Sequence, residues 1–264
     1  FSGAELGVTG ALRRDEANRV SSFDQYVQAE WAFAPAWKVT VGLRHGDIGF
    51  HSEDRFLANG DDSGQRSFSY FNPVAGLSFR AMPELNLYFS SGRGFESPTL
   101  NELAYRSDGS SGFNTGLEAQ TSQQYELGAK LRLASTRIEA ALFRADTDDE
   151  LVVQTNSGGR STFANADRTQ RQGAELSLFD QLSEGWQVRL AATWLDARYV
   201  DAFLTCAAAP CTAPSVTISA GNRIPATARG SAYGELAWTP LASLTLALEG
   251  RAVSRIAVND SNSD

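Results

Sequence analysis

Trp37-Lys38-Val39-Thr40-Val41-Gly42-Leu43-Arg44 puts an apolar side chain at every odd position and a small, polar or charged one at every even position. A period of two is the mark of a strand with one apolar and one polar face. The pattern spreads both ways. Upstream, Phe23, Val27, Ala29, Trp31 and Phe33 oppose Asp24, Tyr26, Gln28 and Glu30. Downstream, Phe71, Pro73, Ala75, Leu77 and Phe79 oppose Asn72, Val74, Gly76, Ser78 and Arg80. Further on, Tyr125, Leu127, Ala129 and Leu131 oppose Gln124, Glu126, Gly128 and Lys130, and Leu244, Leu246 and Leu248 oppose Thr245, Ala247 and Glu249. Eleven such runs are expected: 4–13, 22–33, 37–50, 67–80, 84–95, 121–133, 136–149, 168–179, 185–199, 228–238 and 243–256. Most exceed by far the ~5–6 residues of an ordinary soluble strand.

Short and long links alternate between the runs. The short ones are 34–36, 81–83, 134–135, 180–184 and 239–242; the long polar ones are 14–21, 51–66, 96–120, 150–167 and 200–227. All tight turns then lie at one end of an up-and-down antiparallel sheet. Strands able to cross a bilayer in about 9–11 residues, with such uneven connections, point to an outer-membrane β-barrel.

The polar face carries charges in mid-strand, among them Glu30, Arg44, Arg80, Glu126, Lys130, Arg132, Arg137, Glu139, Glu175, Arg189, Glu235, Glu249 and Arg251. Periodicity alone leaves two readings open, a soluble sandwich with these groups in water or a barrel with them in a wet lumen. The aromatics favour the barrel. Phe33, Trp37, Phe79, Trp186 and Trp238 lie beside short turns, and Phe23, Phe71, Phe89 and Trp194 lie nearer the long links. Two bands of rings suit two membrane interfaces.

Composition narrows the class. The chain has 264 residues, 42% apolar and 20% charged, with a formal net charge of −8. No apolar stretch approaches the ~18 residues of a transmembrane helix. The acidic balance excludes nucleic acid as a partner, because a phosphate-binding face needs clustered positive charge. Phe1-Ser2-Gly3-Ala4-Glu5 lacks the features of a secretory signal. Eleven strands is an odd count, whereas single-chain bacterial barrels close on an even one. The chain is therefore expected to be a piece of a larger barrel, cut at both ends. Cys206 and Cys211, five positions apart, are expected to form a local disulfide, which implies an oxidising compartment; two cysteines with His45 and His51 far off in sequence do not make a zinc site.

Several segments carry a family resemblance. The stretch from Gly92-Arg93-Gly94-Phe95-Glu96-Ser97-Pro98 to Leu103, followed by Thr121-Ser122-Gln123-Gln124-Tyr125-Glu126-Leu127-Gly128, resembles two signature blocks of TonB-dependent outer-membrane transporters, in the same order. Similar segments are 24–31, 41–44, 165–175 and 221–225. The resemblance implies a barrel of roughly 22 strands, of which the 11 runs here are half, with an N-terminal plug in its lumen. It also implies outer-membrane lipid around the protein, coupling to TonB through the plug, and a monomer in a Gram-negative outer membrane. Residues 92–103, 105–109, 146–153, 157–160 and 193–197 look closest to an enterobacterial subgroup that imports pyrroloquinoline quinone (PQQ). The alternatives are a passive porin or adhesin-type barrel and a soluble β-sandwich binding module.

Candidate ligand contacts are the arginines near the long-link side, Arg93, Arg106, Arg160, Arg168, Arg171 and Arg223, with Tyr105. Arginine pairs bidentately with carboxylates, which suits an anionic PQQ or ferric siderophore; the competing reading is salt bridges between loops and strands. Tyr105, Phe113 and Phe163 either stack on a planar ligand or anchor loops. Asp146, Asp148, Asp149 and Glu150 offer calcium-type oxygens or form a solvated loop base. Gly92-Arg93-Gly94-Phe95 lacks the third glycine and following helix of a nucleotide loop. No nucleophile–base grouping presents itself, so neither an enzyme nor a cofactor is expected.

Overall fold

The structure, a computed structural model, describes residues 11–12, 14–110, 112–157 and 160–263. Ten strands form one antiparallel meander: β1 (Glu16–Ala34), β2 (Trp37–Asp54), β3 (Gly64–Met82), β4 (Leu85–Glu96), β5 (Gln120–Arg132), β6 (Thr136–Ser157), β7 (Arg160–Ser183), β8 (Trp186–Tyr199), β11 (Gly230–Leu241) and β12 (Leu244–Val253). Each pairs with the next, and β8 passes directly to β11. Between those two, β9 (Phe203–Thr205) and β10 (Val216–Ile218) form a small separate hairpin. A four-residue helix, α1 (Leu100–Leu103), is held by a reciprocal cap between Thr99 and Glu102. Ten of the eleven expected runs are strands of the main sheet; run 4–13 lies almost wholly outside the described residues.

Register sorts the faces as the alternation requires. Trp31 stands opposite Val39, Val39 opposite Leu77, Leu77 opposite Phe89 and Phe89 opposite Leu127. The row continues through Leu142, Ala174 and Trp194. This face is not covered: Trp31 is 67% exposed, Leu142 59% and Leu248 75%. A sandwich would bury it, so the sandwich reading fails. An apolar face this large is stable only against lipid. At the short-turn end Trp31, Phe33, Trp37 and Phe79 touch ring to ring, the last pair stacked at 4.4 Å, and Trp186 stacks on Trp238 at 5.4 Å.

The buried core lies elsewhere, in a layer at the long-link end. Phe50, Phe68, Leu103, Phe113 and Leu117 make one cluster; Val152, Ala166, Ala197, Tyr199, Ile218 and Ile224 make another. The link 150–167, expected to be a polar loop, is instead mostly strand, since β6 and β7 run on for 22 and 24 residues. The cause is a second alternation. Leu151 and Phe163 pack on the first cluster, while Val152 and Ala166 belong to the second. Both faces of the hairpin are thereby covered, and its β-branched and aromatic residues favour the extended form. The link 200–227 is likewise ordered by the β9–β10 hairpin.

On the lumen face, aromatic rings lie flat over glycines of the neighbouring strand. Tyr70 covers Gly46, Tyr88 covers Gly128 and Phe143 covers Gly173, each pair directly opposite in register. A Cβ on Gly173 would run into the Trp194 carbonyl and lie 2.5 Å from the Phe143 ring. A Cβ on Gly250 would meet nothing within 4 Å. Gly173→Ala is therefore expected to destabilise the protein by about 1–3 kcal/mol and Gly250→Ala to leave it near wild type. Urea unfolding of the full-length protein refolded into lipid vesicles measures both.

Candidate functional site

The polar face forms a wall of partnered charges. Arg44 lies 3.2 Å from Asp24, Lys38 3.4 Å from Glu30, Lys130 3.6 Å from Glu139 and Arg189 3.2 Å from Glu235. Tyr88 donates to Glu126, and the Tyr233 hydroxyl lies 2.9 Å from Glu235 and 3.2 Å from Glu249. Each water-exposed pair stabilises the fold by only ~0–1 kcal/mol, so these groups set the field of the wall more than its stability. In its upper part Tyr70 donates to Asp24, stacks on Phe95 at 4.5 Å and lies 5.7 Å under the Arg44 guanidinium. Tyr26, opposite Arg44, is 84% exposed. A cation and one open aromatic ring, Tyr26, on one wall can hold a planar or anionic solute.

Above the wall, the long-link end is fixed by buried polar bonds. Glu150 accepts from Arg171 at 2.6 and 3.0 Å and from Thr169 at 2.8 Å. The bond to Glu150 holds the Arg171 guanidinium charged, against the burial that opposes it. Tyr199 donates to Asp260 at 2.6 Å, and burial, with that carboxylate, raises its phenol well above the usual range. Asn262 accepts from the Arg223 N–H at 2.7 Å and donates to its carbonyl at 3.0 Å. The Cys206–Cys211 disulfide, Cα atoms 6.0 Å apart, closes a knuckle. Cys211 N–H donates to Ser107 O at 2.7 Å and Thr205 Oγ1 to Gln154 O at 3.3 Å, so the knuckle joins the 96–120 link to the β6–β7 hairpin. Val152, Tyr199, Cys206, Ile218, Ile224 and Asp260 border a half-open cavity of about 690 Å³.

The residues expected from sequence are spread over this layer. Arg93 is exposed on the outer face, in register with Gln123. Arg106 lies 3.5 Å from Asp108 on a loop tip, and Tyr105 lies under Arg14 at 5.2 Å. Arg160 pairs with Ser157 at the hairpin tip, and its side chain lies outside the described atoms. Arg168 grips Asp201 at 2.7 and 3.0 Å, a bond that holds the Asp201 carboxyl below its usual range. Arg171 is committed to Glu150, and Arg223 keeps one buried guanidinium nitrogen without a hydrogen bond among the described residues. Phe113 and Phe163 pack with the first loop cluster. The acidic stretch does not gather: Asp146 bonds Arg144 at 2.9 Å and Gln170 at 2.8 Å, Glu150 turns to Arg171, and among the described residues no group of three metal-competent side chains forms. Sequence reading passed over Tyr26, Arg44, Tyr70 and Phe95 as ligand contacts. Their signal was the shared parity of 24, 26 and 44 and the glycine opposite Tyr70.

An apolar outer face, a charged inner wall and an ordered loop layer at one end define a receptor-type β-barrel wall. The chain belongs to the TonB dependent receptor-like, beta-barrel family, whose profile it matches over residues 3–263. It is 25% identical over 221 residues to the probable TonB-dependent siderophore receptor PiuA of Acinetobacter baumannii, covering 81% of this chain and 28% of that protein. It is 28% identical over 144 residues to the vitamin B12 transporter BtuB of Vibrio vulnificus, covering 54% of this chain and 22% of that one. The chain thus spans about a quarter of the length of these relatives. The same fold appears in the crystal structure of PiuA, with a TM-score of 0.78, 19% identity and coverage of 94% of this chain and 35% of that one. It appears too in the unliganded ferric citrate transporter FecA, with a TM-score of 0.75, 15% identity and coverage of 99% and 36%.

Asp149 has a φ of +58°, a left-handed conformation that Asp and Asn tolerate and β-branched residues do not. Desolvation, then Asp148, Glu118 and Asp167, raise its pKa. Its ionised form is thus disfavoured on folding, and the hairpin gains stability as pH falls through that raised pKa. Asp149→Asn keeps the conformation and removes the repulsion, so hydrogen exchange across 147–153 at neutral pH is expected to slow; Asp149→Val is expected to speed it. Arg171→Met leaves Glu150 buried without its cation. Its expected cost is roughly 2 kcal/mol, below the ~3–5 of a fully enclosed pair, and Arg171→Met/Glu150→Gln should recover part of it in the same unfolding measurement.

Proposed function

We propose that residues 1–264 form part of the barrel domain of a TonB-dependent receptor in the outer membrane of a Gram-negative bacterium. The whole protein would capture a scarce anionic solute, a ferric siderophore or PQQ, at the long-link end and import it with work supplied through TonB and a plug. The observation that carries this reading is the inverted sheet, apolar outside and charged inside, whose two apolar cores among the described residues order the loops at one mouth. Such a molecule binds and conveys. Siderophore-receptor relatives favour the siderophore, and the resemblance in 92–109 and 146–160 supports PQQ.

Arg168 and Arg171 serve internal carboxylates in this scheme. Arg44, with Arg106, Arg160 and Arg223, meets the solute. Calorimetry of the full-length receptor with PQQ and a panel of ferric siderophores tests both parts. One of them is expected to bind. Arg44→Glu should then weaken that ligand at least about tenfold, the loss of one charge-assisted bond, and Arg168→Glu should change affinity by less than about threefold. Heat with neither class, or an unchanged affinity in Arg44→Glu, overturns the assignment concerned.

A further inference from the structure

We propose that the outward face of β1–β3 carries, just above Phe23 and Phe71, a docking site for the phosphate head group of an outer-leaflet lipid. Arg19, His51 and Gln65 build it over Ser21, Gly49 and Ser67. The proposal rests on the outer-membrane reading above. These residues fall in two neighbouring cross-strand rows: Arg19 opposite His51 and His51 opposite Gln65, then Ser21 opposite Gly49 and Gly49 opposite Ser67. They share the parity of Trp31, Val39 and Leu77, so they look away from the lumen. Together they line an open groove of about 480 Å³. Gly49, at its centre, leaves the floor bare; a Cβ there would lie 3.2 Å from Ser21 Oγ. Arg66 also borders the groove but turns its guanidinium to Glu118.

The lining is made of donors. A guanidinium, an imidazole, an amide and two hydroxyls can each donate to a phosphate oxygen. Among the described residues no carboxylate borders the groove, and Arg19 forms no ion pair. The acids of the adjoining rows are Glu53, which lies 3.8 Å from Arg55, and Asp47, which stands between Phe23 and Ser69. Height fits as well as charge. Strands rise ~3.3 Å per residue and tilt ~35–45° in a barrel, which puts the Ser21 row about 5 Å above Phe23 along the membrane normal. The head-group layer is ~5–7 Å deep on each side of a bilayer. Below the groove the same face runs on through Val27, Leu43 and Pro73, then Ala29, Val41 and Ala75. Val27 is 65% exposed and Phe71 55%. A free phosphate gains nothing from that apolar track, and a solute in the lumen never meets it. A lipid with its phosphate in the groove lays its acyl chains along it, so the geometry selects an anionic lipid.

The test places the full-length receptor in phosphatidylcholine vesicles that carry a trace of phosphatidic acid with a photoreactive diazirine in its acyl chain, and maps the labelled peptides. Labelling is expected to concentrate on 25–29, 41–45 and 71–75. It should fall at least about tenfold in Arg19→Gln/His51→Ala, the loss of a charge-assisted bond, and less in Arg19→Lys, which keeps the charge. Asp47→Asn, which removes the carboxylate of the next row, should raise it. Arg93→Gln, outward but outside the groove, should leave it unchanged. Unlabelled phosphatidic acid should displace the probe and inorganic phosphate should not. Labelling spread evenly over the outward face, or unchanged in Arg19→Gln/His51→Ala, overturns the proposal and leaves the membrane reading standing. Displacement by inorganic phosphate overturns the lipid as occupant. Labelling at Arg44 and Glu126, on the lumen side, in place of the outward face overturns the membrane reading itself.

Discussion

A polypeptide crossing hydrocarbon must satisfy every backbone N–H and C=O from within itself, and the rest of this molecule follows from that. Within the meander this is done strand by strand, each strand bonded to the next in the sheet. The side chains are then free to be sorted by solvent alone, apolar to lipid and charged to the lumen. This explains why the membrane-crossing part has almost no buried core, and why its glycines matter. Where Tyr70, Tyr88 and Phe143 lie flat on the wall, the residue beneath has to lack a Cβ.

The loop layer obeys the opposite rule. Outside the bilayer water competes for every polar group, and order has to come from burial. Two apolar clusters, the Arg171–Glu150 and Tyr199–Asp260 bonds and the disulfide knuckle supply it. Tyr199 owes its raised phenol chiefly to this burial and Arg171 keeps its charge through the Glu150 bond against it, whereas the Asp201 carboxylate is held low by its exposed two-bond pair with Arg168. The same chain thus contains two folding regimes, divided near the upper aromatic band.

The first regime was legible in the sequence and the second was not. Trp37–Arg44 and its counterparts report their faces directly, because a strand's period of two is local. The ring pairs Trp37–Phe79 and Trp186–Trp238 follow from turn positions alone. The loop layer depends on partners far apart in the chain. Nothing near Arg171 announces Glu150, 21 positions away, and nothing near Tyr199 announces Asp260, 61 away. The hairpin above Asp149 was hidden because its two alternations, Leu151 with Phe163 and Val152 with Ala166, face different clusters and read together as an unpatterned polar link. The arginines were visible as a type, but their assignment to carboxylates or to a solute is a matter of geometry.

That hairpin has a consequence for how such a receptor changes over generations. It stands as a partition with a separate core on each side, and alternate residues answer to different neighbours. Substitutions on the Leu151–Phe163 side are felt by the ends of β2 and β3 and the loop after β4; those on the Val152–Ala166 side are felt by the end of β8 and the loop after it. Each half of the loop layer therefore answers mainly to its own core, with the Cys211 N–H to Ser107 O bond tying the loop after β8 to the one after β4. A lineage can try new binding surfaces on one side while the other continues to hold the mouth in shape.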